Sequence, residues 1–397
     1  MAKIRVTRTV EIPDPLRISR YRKIPELGPR ILFFSGGTAL NGLCQTLKNY
    51  THNSIHLVTP FDSGGSSAEL RKAFDMPAIG DLRSRLMALA DETVLGHPEV
   101  YELFTYRFPL DADNEELCSR LRAMAQGTSA QVADITNPMR SLICNHLGFF
   151  LDAMPDDFNL RGASIGNLIL AGGYLNNHQE LDPIIFLFSK LVNAQGTVRM
   201  VVNDNLHLGA ALADGRQVIG QHLLTGKEVD PISSAIEGIF LSERHDTSVP
   251  TEIELKEKNR ELIDEAELIC YPPGSFYSSV LANLLPKGVG KAIAGNDCPK
   301  VYIPNLGNDP EQLGMSLEQS IHRLLGILKN DVGERCPTDK LLNFILLDSR
   351  HMGAACYATR DMFKEIGVEF LEVELVSNQS APYYDNDLLV SALLSLT

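Results

Sequence analysis

ILFFSGGTALNGLCQTL, residues 31–47, is followed by IHLVT at 55–59 and then by Asp62. The first four apolar residues are typical of a buried strand, and SGGT is typical of a sharp turn. Apolar residues then recur three and four positions apart, as on one face of a helix. The pattern predicts a strand, a glycine-rich turn, a helix and a second strand with an acid at its carboxyl end. In such a unit, backbone N–H groups and a helix N-terminus can bind an anion, usually a phosphate.

The glycine pattern excludes two common nucleotide-binding motifs. G-x-G-x-x-G is absent, and no Gly-Lys-Ser/Thr follows the turn, as a P-loop would require. Judged alone, Gly36-Gly37-Thr38 fits a tight turn of an α/β core as well as it fits a ligand site.

Composition and charge indicate an ordinary globular protein that does not attract polyanions. Of the 397 residues, 44% are hydrophobic and 22% are charged, and the formal net charge is −14. This charge argues against general binding to nucleic acid or to an anionic membrane, although a small anionic ligand needs only a local field. The basic N-terminal arm, residues 1–30, is interpreted as a solvated segment that packs on an acidic body or partner.

Cysteine usage and targeting signals indicate a reduced compartment. The seven cysteines show no C-x-x-C and no paired spacing, so neither a zinc site nor a disulfide framework is indicated. The first residues lack the apolar region of a secretory signal, and no apolar run approaches the ~20 residues that span a bilayer. We therefore expect a cytoplasmic protein.

Strands and helices alternate along most of the chain, which predicts an α/β fold with a mainly parallel sheet and helices on both faces. Residues 92–160 are predicted to form a helical insertion. Asp214-Gly215 between two β-like runs is a strong hairpin signal, so a small antiparallel β element is expected at about residues 196–245. Residues 31–397 are interpreted as a single domain.

The loop PFDSGGSSAELRK, residues 60–72, carries the most informative chemistry. Its two glycines let backbone N–H groups point at a ligand, and its two serines add hydroxyl donors. Arg71 and Lys72 could add positive charge. Asp62 would repel a bare phosphate, but it could hold Mg²⁺ that bridges to one. A flexible loop is the alternative, but the segment follows a strand, where open α/β sheets bind ligands.

A third loop, YPPGSFYSS at residues 271–279, also follows a strand and precedes a helix. The backbone amides of this loop, with Gly274 and Ser275, could receive a second phosphate or a sugar. Tyr277 could hydrogen-bond or stack on a ligand. A tight turn with hydroxyl caps explains the segment equally well.

The segment Gly80-Asp81-Leu82-Arg83 is a weaker signal. Asp81 is adequately explained as the N-cap of the following helix. Arg83, and less readily Arg85, could instead clamp a diphosphate, since the guanidinium group suits bidentate phosphate contacts.

From about residue 30 to residue 330, the sequence resembles the CofD/YvcK family. Each matching segment is weak alone, but their combination and order are specific, and the loops look closer to the YvcK-type branch. The segments are SGGTALNGL (35–43), FDSGGSSAELRK (61–72), GDLRSRLMALAD (80–91) and PPGSFYSSVLANLLPKGVGKAI (272–293).

The resemblance implies a Rossmann-like, three-layer αβα fold that binds a nucleotide diphosphate ligand. In the transferase branch, a 2-phospho-L-lactate group moves from a guanosine diphosphate carrier to a deazaflavin hydroxyl, with Mg²⁺. In the YvcK-type branch, the protein binds uridine diphosphate sugars and acts in carbon metabolism and cell-wall homeostasis. We also expect a homodimer without nucleic-acid or membrane partners.

The resemblance also implies which residues form the site. Asp62 is the expected metal ligand, and Asp62 and Arg83 are the expected catalytic residues. The expected nucleotide- and phosphate-binding residues are Gly36, Gly37, Thr38, Gly64, Gly65, Ser66, Ser67, Gly80, Asp81, Asn167, Gly274, Ser275 and Tyr277.

The chain departs from the family pattern at several points. Paired acids typically precede the second glycine pair, whereas this chain has Asp62-Ser63, so one carboxylate that metal binding could need is missing. Ala39 and Ala68 replace family glycines. Residues 331–397 look particular to this subgroup and could serve dimerisation or a different acceptor.

Three functions are compatible with this sequence. The first is a Mg²⁺-assisted transferase that cleaves a nucleotide diphosphate-linked donor and modifies an acceptor hydroxyl. The second is a non-catalytic regulatory protein that binds a nucleotide sugar in the same pocket. The third, a structural scaffold without a ligand, agrees least with so many glycine- and serine-rich loops.

Overall fold

Two β-sheets organise the computed structural model, which describes residues 9–93, 96–226, 229–351 and 355–397. Their strands are β1 (Ile31–Ser35), β2 (Ile55–Val58), β3 (Thr197–Met200), β4 (His207–Leu212), β5 (Gln217–Ile219), β6 (Ile236–Ser242), β7 (Leu268–Tyr271), β8 (Lys300–Tyr302), β9 (Phe344–Leu347) and β10 (Glu369–Glu372). The larger sheet is parallel, with the order β10-β9-β8-β7-β1-β2-β3, and the smaller one is antiparallel, with the order β5-β4-β6. The predicted α/β fold and its antiparallel element are confirmed.

Helices flank the large sheet and give the predicted three-layer, Rossmann-like architecture. They are α1 (Pro15–Lys23), α2 (Asn41–Leu47), α3 (Gly65–Phe74), α4 (Gly80–Ala88), α5 (Pro98–Thr105), α6 (Asn114–Ala125), α7 (Ala130–Ala133), α8 (Met139–Ala153), α9 (Ile165–Asn176), α10 (Asp182–Leu191), α11 (His222–Thr225), α12 (Glu257–Asp264), α13 (Val289–Gly295), α14 (Leu317–Val332), α15 (Ala355–Lys364) and α16 (Asn386–Ser395). Within the described ranges, none of these helices is long and apolar enough to cross a bilayer.

Strand β1 lies inside the large sheet, between β7 and β2, and all five of its residues are buried. Ile31 and Phe33 belong to the hydrophobic core on one face of the sheet. Leu32 and Phe34 belong to the core on the other face. Because both faces are covered by helices, the strand is continuously apolar rather than alternating, and this is the signal that predicted it.

The strand order reverses between β1 and β7. The chain first adds β2 and β3 on one side of β1, and later adds β7, β8, β9 and β10 on the other side. In open α/β sheets, ligands bind beyond the carboxyl ends of the strands at such a reversal. The loops that follow β1, β2 and β7 meet there.

The two predicted additions to the sheet both contain regular structure. The segment predicted as a helical insertion contains α5 to α8, and α8 packs against α9. The hairpin predicted around Asp214-Gly215 is formed by β4 and β5, with Ala210 paired to Val218. Strand β6, which pairs with the other edge of β4, was not foreseen.

The N-terminal arm is more ordered than its sequence interpretation, although its first eight residues, with Arg5 and Arg8, lie outside the described residues. Helix α1 packs against α16 at the other end of the chain. The N–H of Asp14 donates to Ser395 Oγ at 2.8 Å, and Arg17 Nη1 donates to the carbonyl of Ser395 at 3.1 Å. The described part of the arm is therefore held by the chain's own C-terminal helix.

Candidate functional site

A cleft of about 220 Å³ opens at the carboxyl ends of β1, β2 and β7. Three loops form its walls, and a segment from the small sheet, which we call the strap (residues 220–225), covers one side. Eight of the predicted site residues line this cleft: Gly36, Gly37, Thr38, Asp62, Gly64, Asp81, Gly274 and Ser275.

The turn after β1 packs so closely against neighbouring segments that its first glycine, Gly36, has no room for a side chain. A Cβ on Gly36 would lie 2.3 Å from Ser279 Oγ. A Cβ on Gly37 would lie 3.0 Å from Asp81 Oδ1. The turn after β7 and the start of α4 therefore both pack against this turn, and glycine at position 36 is required by space.

Arg85 holds the same turn from beneath. Its Nη2 donates to the carbonyls of Gly36 and Gly37 at 3.0 and 2.9 Å, and its side chain is fully buried. In a trans peptide the N–H points opposite to the carbonyl. The N–H groups of Gly37 and Thr38 consequently point away from Arg85, where a ligand in the cleft could accept from them.

Asp62 stabilises the loop after β2 and faces the cleft. Its Oδ1 accepts a hydrogen bond from the N–H of Gly64 at 3.2 Å, a local turn that aspartate commonly forms. Gly65 follows with φ of 46°, a left-handed conformation that favours glycine, and begins α3. The loop thus places a carboxylate and a glycine backbone side by side.

Asp81 does not cap its helix, contrary to the sequence interpretation. Helix α4 begins at Gly80 with Ile79 in the N-cap position, and no side chain caps it. Packing brings the carboxylate of Asp81 instead to the turn after β1, beside Gly37. As a result, Asp62 and Asp81 both line the cleft.

The turn after β7 contributes its surface to the cleft, but not the backbone amides of residues 276–278, which begin a short π-helix (Phe276–Val280). The N–H groups of Tyr277 and Ser278 both donate to Glu311 Oε2 at 2.8 Å. The N–H of Phe276 donates to Asp309 Oδ2 at 2.8 Å. These three amides are occupied by the chain's own acids, so they are not available to a phosphate in this conformation.

The strap is tied to two of the three loops. Ser63 Oγ and His222 Nδ1 lie 2.7 Å apart, and the N–H of His222 donates to the same hydroxyl at 3.2 Å. Gln221 Nε2 donates to Ser278 Oγ at 3.5 Å. Gln221, His222 and Thr225 therefore line the cleft. Ser63, which stands where the family typically has a second acid, holds a histidine over the site.

The charged side chains that line the cleft are mainly acidic. The described lining contains two aspartates and His222, but neither lysine nor arginine, and the nearest arginines, Arg71, Arg83 and Arg85, are buried behind the loops. A diphosphate in this position would face two carboxylates at close range, and a cation between them would offset the repulsion.

Comparison with known proteins identifies the family of this chain. The model of the family described as 2-phospho-L-lactate transferase CofD matches residues 31–379. This chain belongs to the CofD family.

Relatives of this CofD-family protein include two proteins named gluconeogenesis factor. The one from Bacillus subtilis (strain 168) is 29% identical over 282 residues, which are 71% of this chain and 69% of that protein. The one from Listeria monocytogenes serovar 1/2a is 28% identical over 283 residues, or 71% of this chain and 68% of that protein. A solved UPF0052-family structure from Bacillus halodurans has a TM-score of 0.66 at 24% identity, covers 92% of this chain and 99% of its own, and supports the fold.

Arg83 of this CofD-family protein is placed behind the cleft rather than in it. Its side chain is buried, and Nη1 donates to the carbonyl of Phe104 at 3.1 Å. Burial, with the nearby charge of Arg107, lowers its pKa to about 10, so the group stays protonated at neutral pH. It supports α5 and contributes charge behind Asp81 without lining the cleft.

The remaining predicted residues lie next to the cleft or beneath it. Tyr277 is fully buried, and its hydroxyl donates to the carbonyl of Ile236 at 3.0 Å. Gly65 and Ser66 line a separate cavity of about 550 Å³ under the helical insertion. The other three pack around these residues: Asn167 Nδ2 donates to Ser66 Oγ at 3.4 Å, and Ser67 Oγ lies 2.6 Å from where a Cβ on Gly80 would be.

The strap residues are the cleft components that sequence reasoning missed. Ser63 and His222 are 159 positions apart, and no local motif connects them. The one available signal was Ser63 itself, because a departure from the family pattern beside Asp62 invites a search for its new partner. Arg85 was considered only as a diphosphate clamp, whereas its guanidinium binds the backbone carbonyls of Gly36 and Gly37, which no sequence pattern marks.

Proposed function

We propose that this CofD-family protein is a Mg²⁺-assisted transferase. It would move a phospho-organic group of the 2-phospho-L-lactate type from a nucleoside diphosphate-linked donor to an acceptor hydroxyl. The observation that carries this proposal is that Asp62 and Asp81 face a glycine-walled cleft whose described lining has no lysine or arginine. Such a cleft suits a diphosphate that arrives with a divalent cation.

The side chains at the cleft fit Mg²⁺. This ion is usually bound by one or two carboxylates together with phosphate oxygens and water. Asp62 and Asp81 supply that number of carboxylates. Among the described residues there is no group of three or more His, Cys, Asp or Glu side chains that could hold a metal, so the other ligands would be substrate oxygens and water. When bound, Mg²⁺ supplies positive charge that offsets the charge of the phosphates.

The chain's own residues would then position the reacting groups. The N–H groups of Gly37 and Thr38 would donate to oxygens of the transferred phosphate, and Arg85 fixes their direction. In the transfer, a bond forms between the acceptor oxygen and phosphorus, and the bond from phosphorus to the bridging oxygen breaks. A nucleoside monophosphate leaves with the bonding electrons, and the acceptor's proton passes to water.

Ligand-dependent thermal stability tests the binding part of this proposal. A ligand that binds only the folded state raises the melting temperature by mass action. Guanosine and uridine diphosphates, and their sugar conjugates, should raise it by a few degrees only when Mg²⁺ is present. Asp62→Asn and Asp81→Asn should abolish the Mg²⁺-dependent part of this shift.

The matched control is Asp264→Asn, an exposed aspartate at the C-terminal end of α12, beside the amino end of β7 and away from the cleft. It should leave the shift unchanged. A shift that is equally large without Mg²⁺, or that survives both cleft substitutions, would contradict the metal assignment. Release of nucleoside monophosphate that depends on the hydroxyl acceptor, together with one equivalent of the phosphodiester formed on that acceptor, would establish transfer.

The second candidate is a nucleotide-sugar-binding regulatory protein of carbon or cell-wall metabolism. Ser63 favours it, because the position that could supply a second adjacent acid is occupied by a hydroxyl bonded to His222. The gluconeogenesis-factor names of the relatives agree with it. A metal-independent shift with a uridine diphosphate sugar, and no nucleoside monophosphate after long incubation, would favour this function over transfer.

A further inference from the structure

His222 is a titratable side chain of the cleft that the proposed function leaves without a role. Three titratable side chains, Asp62, Asp81 and His222, line the cleft within the part of the chain that the structure describes. Both carboxylates are assigned to Mg²⁺, so they are not available to remove a proton from an acceptor. The imidazole of His222 is the remaining group that can accept one, and histidine is the residue that most often does so in enzymes.

The contact with Ser63 orients the imidazole ring. Nδ1 of His222 lies 2.7 Å from Ser63 Oγ, and no residue in the described ranges hydrogen-bonds to Nε2. Ser63 does not line the cleft, whereas His222 does. The two nitrogens of an imidazole point in divergent directions. A ring that is anchored through Nδ1 at Ser63 therefore presents Nε2 on its other side, towards the cleft.

The backbone of the strap fixes the position of this ring. Gly220 has a φ of 119°, and a Cβ there would lie 2.9 Å from His222 Cε1. The N–H of Gly220 donates to the carbonyl of Leu208 at 2.8 Å, and Leu224, two residues after His222, is fully buried. The imidazole is thus held between the strap backbone and Ser63, which limits its rotation, as a group in a catalytic position requires.

Ser63 suits a histidine that accepts a proton at Nε2. The hydroxyl oxygen of Ser63 accepts from the N–H of His222 at 3.2 Å and has a second lone pair for Nδ1–H. A neutral imidazole that carries its hydrogen on Nδ1 has a free lone pair on Nε2. The contact also survives protonation, because Nδ1 is a donor in both states. Ser63 would thus favour the tautomer that proton transfer requires.

We propose that His222 is the general base of the transfer and that Ser63 is its positioning residue. The inference rests on the proposed function for the reaction itself. The O–H bond of the acceptor breaks, its electrons stay on oxygen, and this oxygen bonds to phosphorus as the nucleoside monophosphate leaves with the electrons of the bridging bond. The proton moves to the lone pair of His222 Nε2 and reaches water after the products leave.

Release of guanosine monophosphate tests this role, with water as the simplest acceptor. The donor probe is guanosine diphosphate esterified to the hydroxyl of L-lactate, in the presence of Mg²⁺. His222→Asn keeps a polar group that can bind Ser63 but cannot accept the proton. It should lower kcat about 100-fold, at the lower end of the usual contribution of a general base, because loose phosphoryl transfer depends less on one. Ser63→Ala should lower kcat about fivefold, since one neutral hydrogen bond is lost.

Chemical rescue separates proton transfer from a structural role of the ring. In His222→Ala, added imidazole should restore part of the rate, because it fits the vacated space and accepts a proton. Pyrazole has the same shape but is far less basic, so it should not restore the rate. His322→Asn is the matched control, since His322 is exposed on α14 and does not line the cleft. Its kcat should equal that of the unmodified protein.

Two further measurements do not depend on turnover. The dissociation constant of guanosine diphosphate with Mg²⁺ should be unchanged in His222→Asn, because the base contacts the acceptor rather than the donor. Diethyl pyrocarbonate acylates accessible, unprotonated imidazole nitrogens. It should modify His222 of the free protein, as identified by the mass of the peptide, and exposed His322 provides the positive control.

The outcomes separate this inference from the proposed function. Loss of kcat with intact nucleotide binding, together with rescue by imidazole alone, supports the base. A kcat of His222→Asn close to that of the unmodified protein, equal rescue by pyrazole and imidazole, or no acylation of His222 would each overturn the inference while transfer itself stands. If the unmodified protein releases no guanosine monophosphate, the proposed function fails, and the base fails with it because no acceptor proton is removed.

Discussion

Arg85 is a buried cation whose hydrogen bonds shape the turn after β1. Besides the carbonyls of Gly36 and Gly37, its Nη1 donates to Asn41 Oδ1 at 3.1 Å and to Cys44 Sγ at 2.9 Å. Removing the guanidinium would leave polar backbone groups buried without a donor. Each such group typically costs about 1–3 kcal/mol.

We therefore expect Arg85→Met, which keeps the length of the side chain, to lower the free energy of unfolding by about 3 kcal/mol, measured by urea denaturation. Arg216→Met is the control, because Arg216 is exposed and pairs with Asp214 in the hairpin and with Ser233 before β6. In this control variant the free energy of unfolding should change by no more than about 0.5 kcal/mol. Equal losses in the two variants would contradict the role given to Arg85.

At the residue scale, the sequence specified backbone positions better than side-chain directions. Gly36 and Gly37 directly follow β1, and Asp62 and Gly64 lie in the loop between β2 and α3, so a correct strand prediction already places them at the carboxyl edge of the sheet. Arg83 sits on a helix, where its direction depends on packing against α5. That packing involves residues about twenty positions away, and no local pattern in GDLR reveals it.

In the turn after β7, the backbone amides that begin the short π-helix Phe276–Val280 are bound by acidic side chains of the same chain. Glu311 is almost completely buried and accepts from Tyr277, from the N–H of Ser278 and, through Oε1, from the Ser278 hydroxyl at 2.5 Å. Burial raises its pKa to about 7, and the charge of Asp309 acts in the same direction.

This shift predicts a specific pH dependence of stability. The folded state binds the proton of Glu311 more tightly than the unfolded state does. The contribution of the protonated Glu311 to the free energy of unfolding is therefore complete below about pH 4.5 and is lost as the pH rises through about 7. Glu311→Gln keeps an acceptor for the two amides and should remove this part of the dependence. Urea unfolding across that pH range, for both proteins, measures it. Identical slopes in the two would show that Glu311 does not titrate as described.

The strap is the second element that can be tested, through the rate of amide hydrogen exchange in its backbone. Ser63→Ala removes the hydroxyl that accepts from the N–H of His222. We expect amide hydrogen exchange in residues 220–225 to accelerate about fivefold, since one lost hydrogen bond contributes about 1 kcal/mol. Ser234→Ala is the control, because its hydroxyl accepts from Asp214 in the hairpin and not from the strap. Unchanged exchange in the strap of Ser63→Ala would mean that other contacts hold it.

At the scale of the whole molecule, the alternation of strands and helices was predictable but the joining of the two chain ends was not. The start of α1 carried a readable signal, since Pro15 occupies the first helical turn and Asp14 Oδ1 accepts from the N–H of Arg17 at 3.0 Å. Its partner, Ser395, lies 381 positions away from Asp14. Long-range packing of this kind has no local pattern.

Removal of residues 1–24 should lower the melting temperature only modestly, because no described residue of α1 is buried. Ligand-dependent shifts should be unchanged, since α1 does not line the cleft. Leu393 in α16 is fully buried, so Leu393→Ala should lower the free energy of unfolding by about 3 kcal/mol. This variant shows, for comparison, how large the effect of a change in the hydrophobic core is. Loss of ligand binding without residues 1–24 would show that the arm takes part in the site.

The reversal of strand order between β1 and β7 has a consequence for the lifetime of the folded protein. The two halves of the sheet meet along this seam, and a ligand that contacts both Gly37 and Gly274 would span it. If the halves separate early in unfolding, the ligand must leave first, and the barrier rises by its binding energy. Saturating ligand should then lengthen the unfolding half-life in a denaturant jump, so that the substrate protects its own binding protein against slow inactivation.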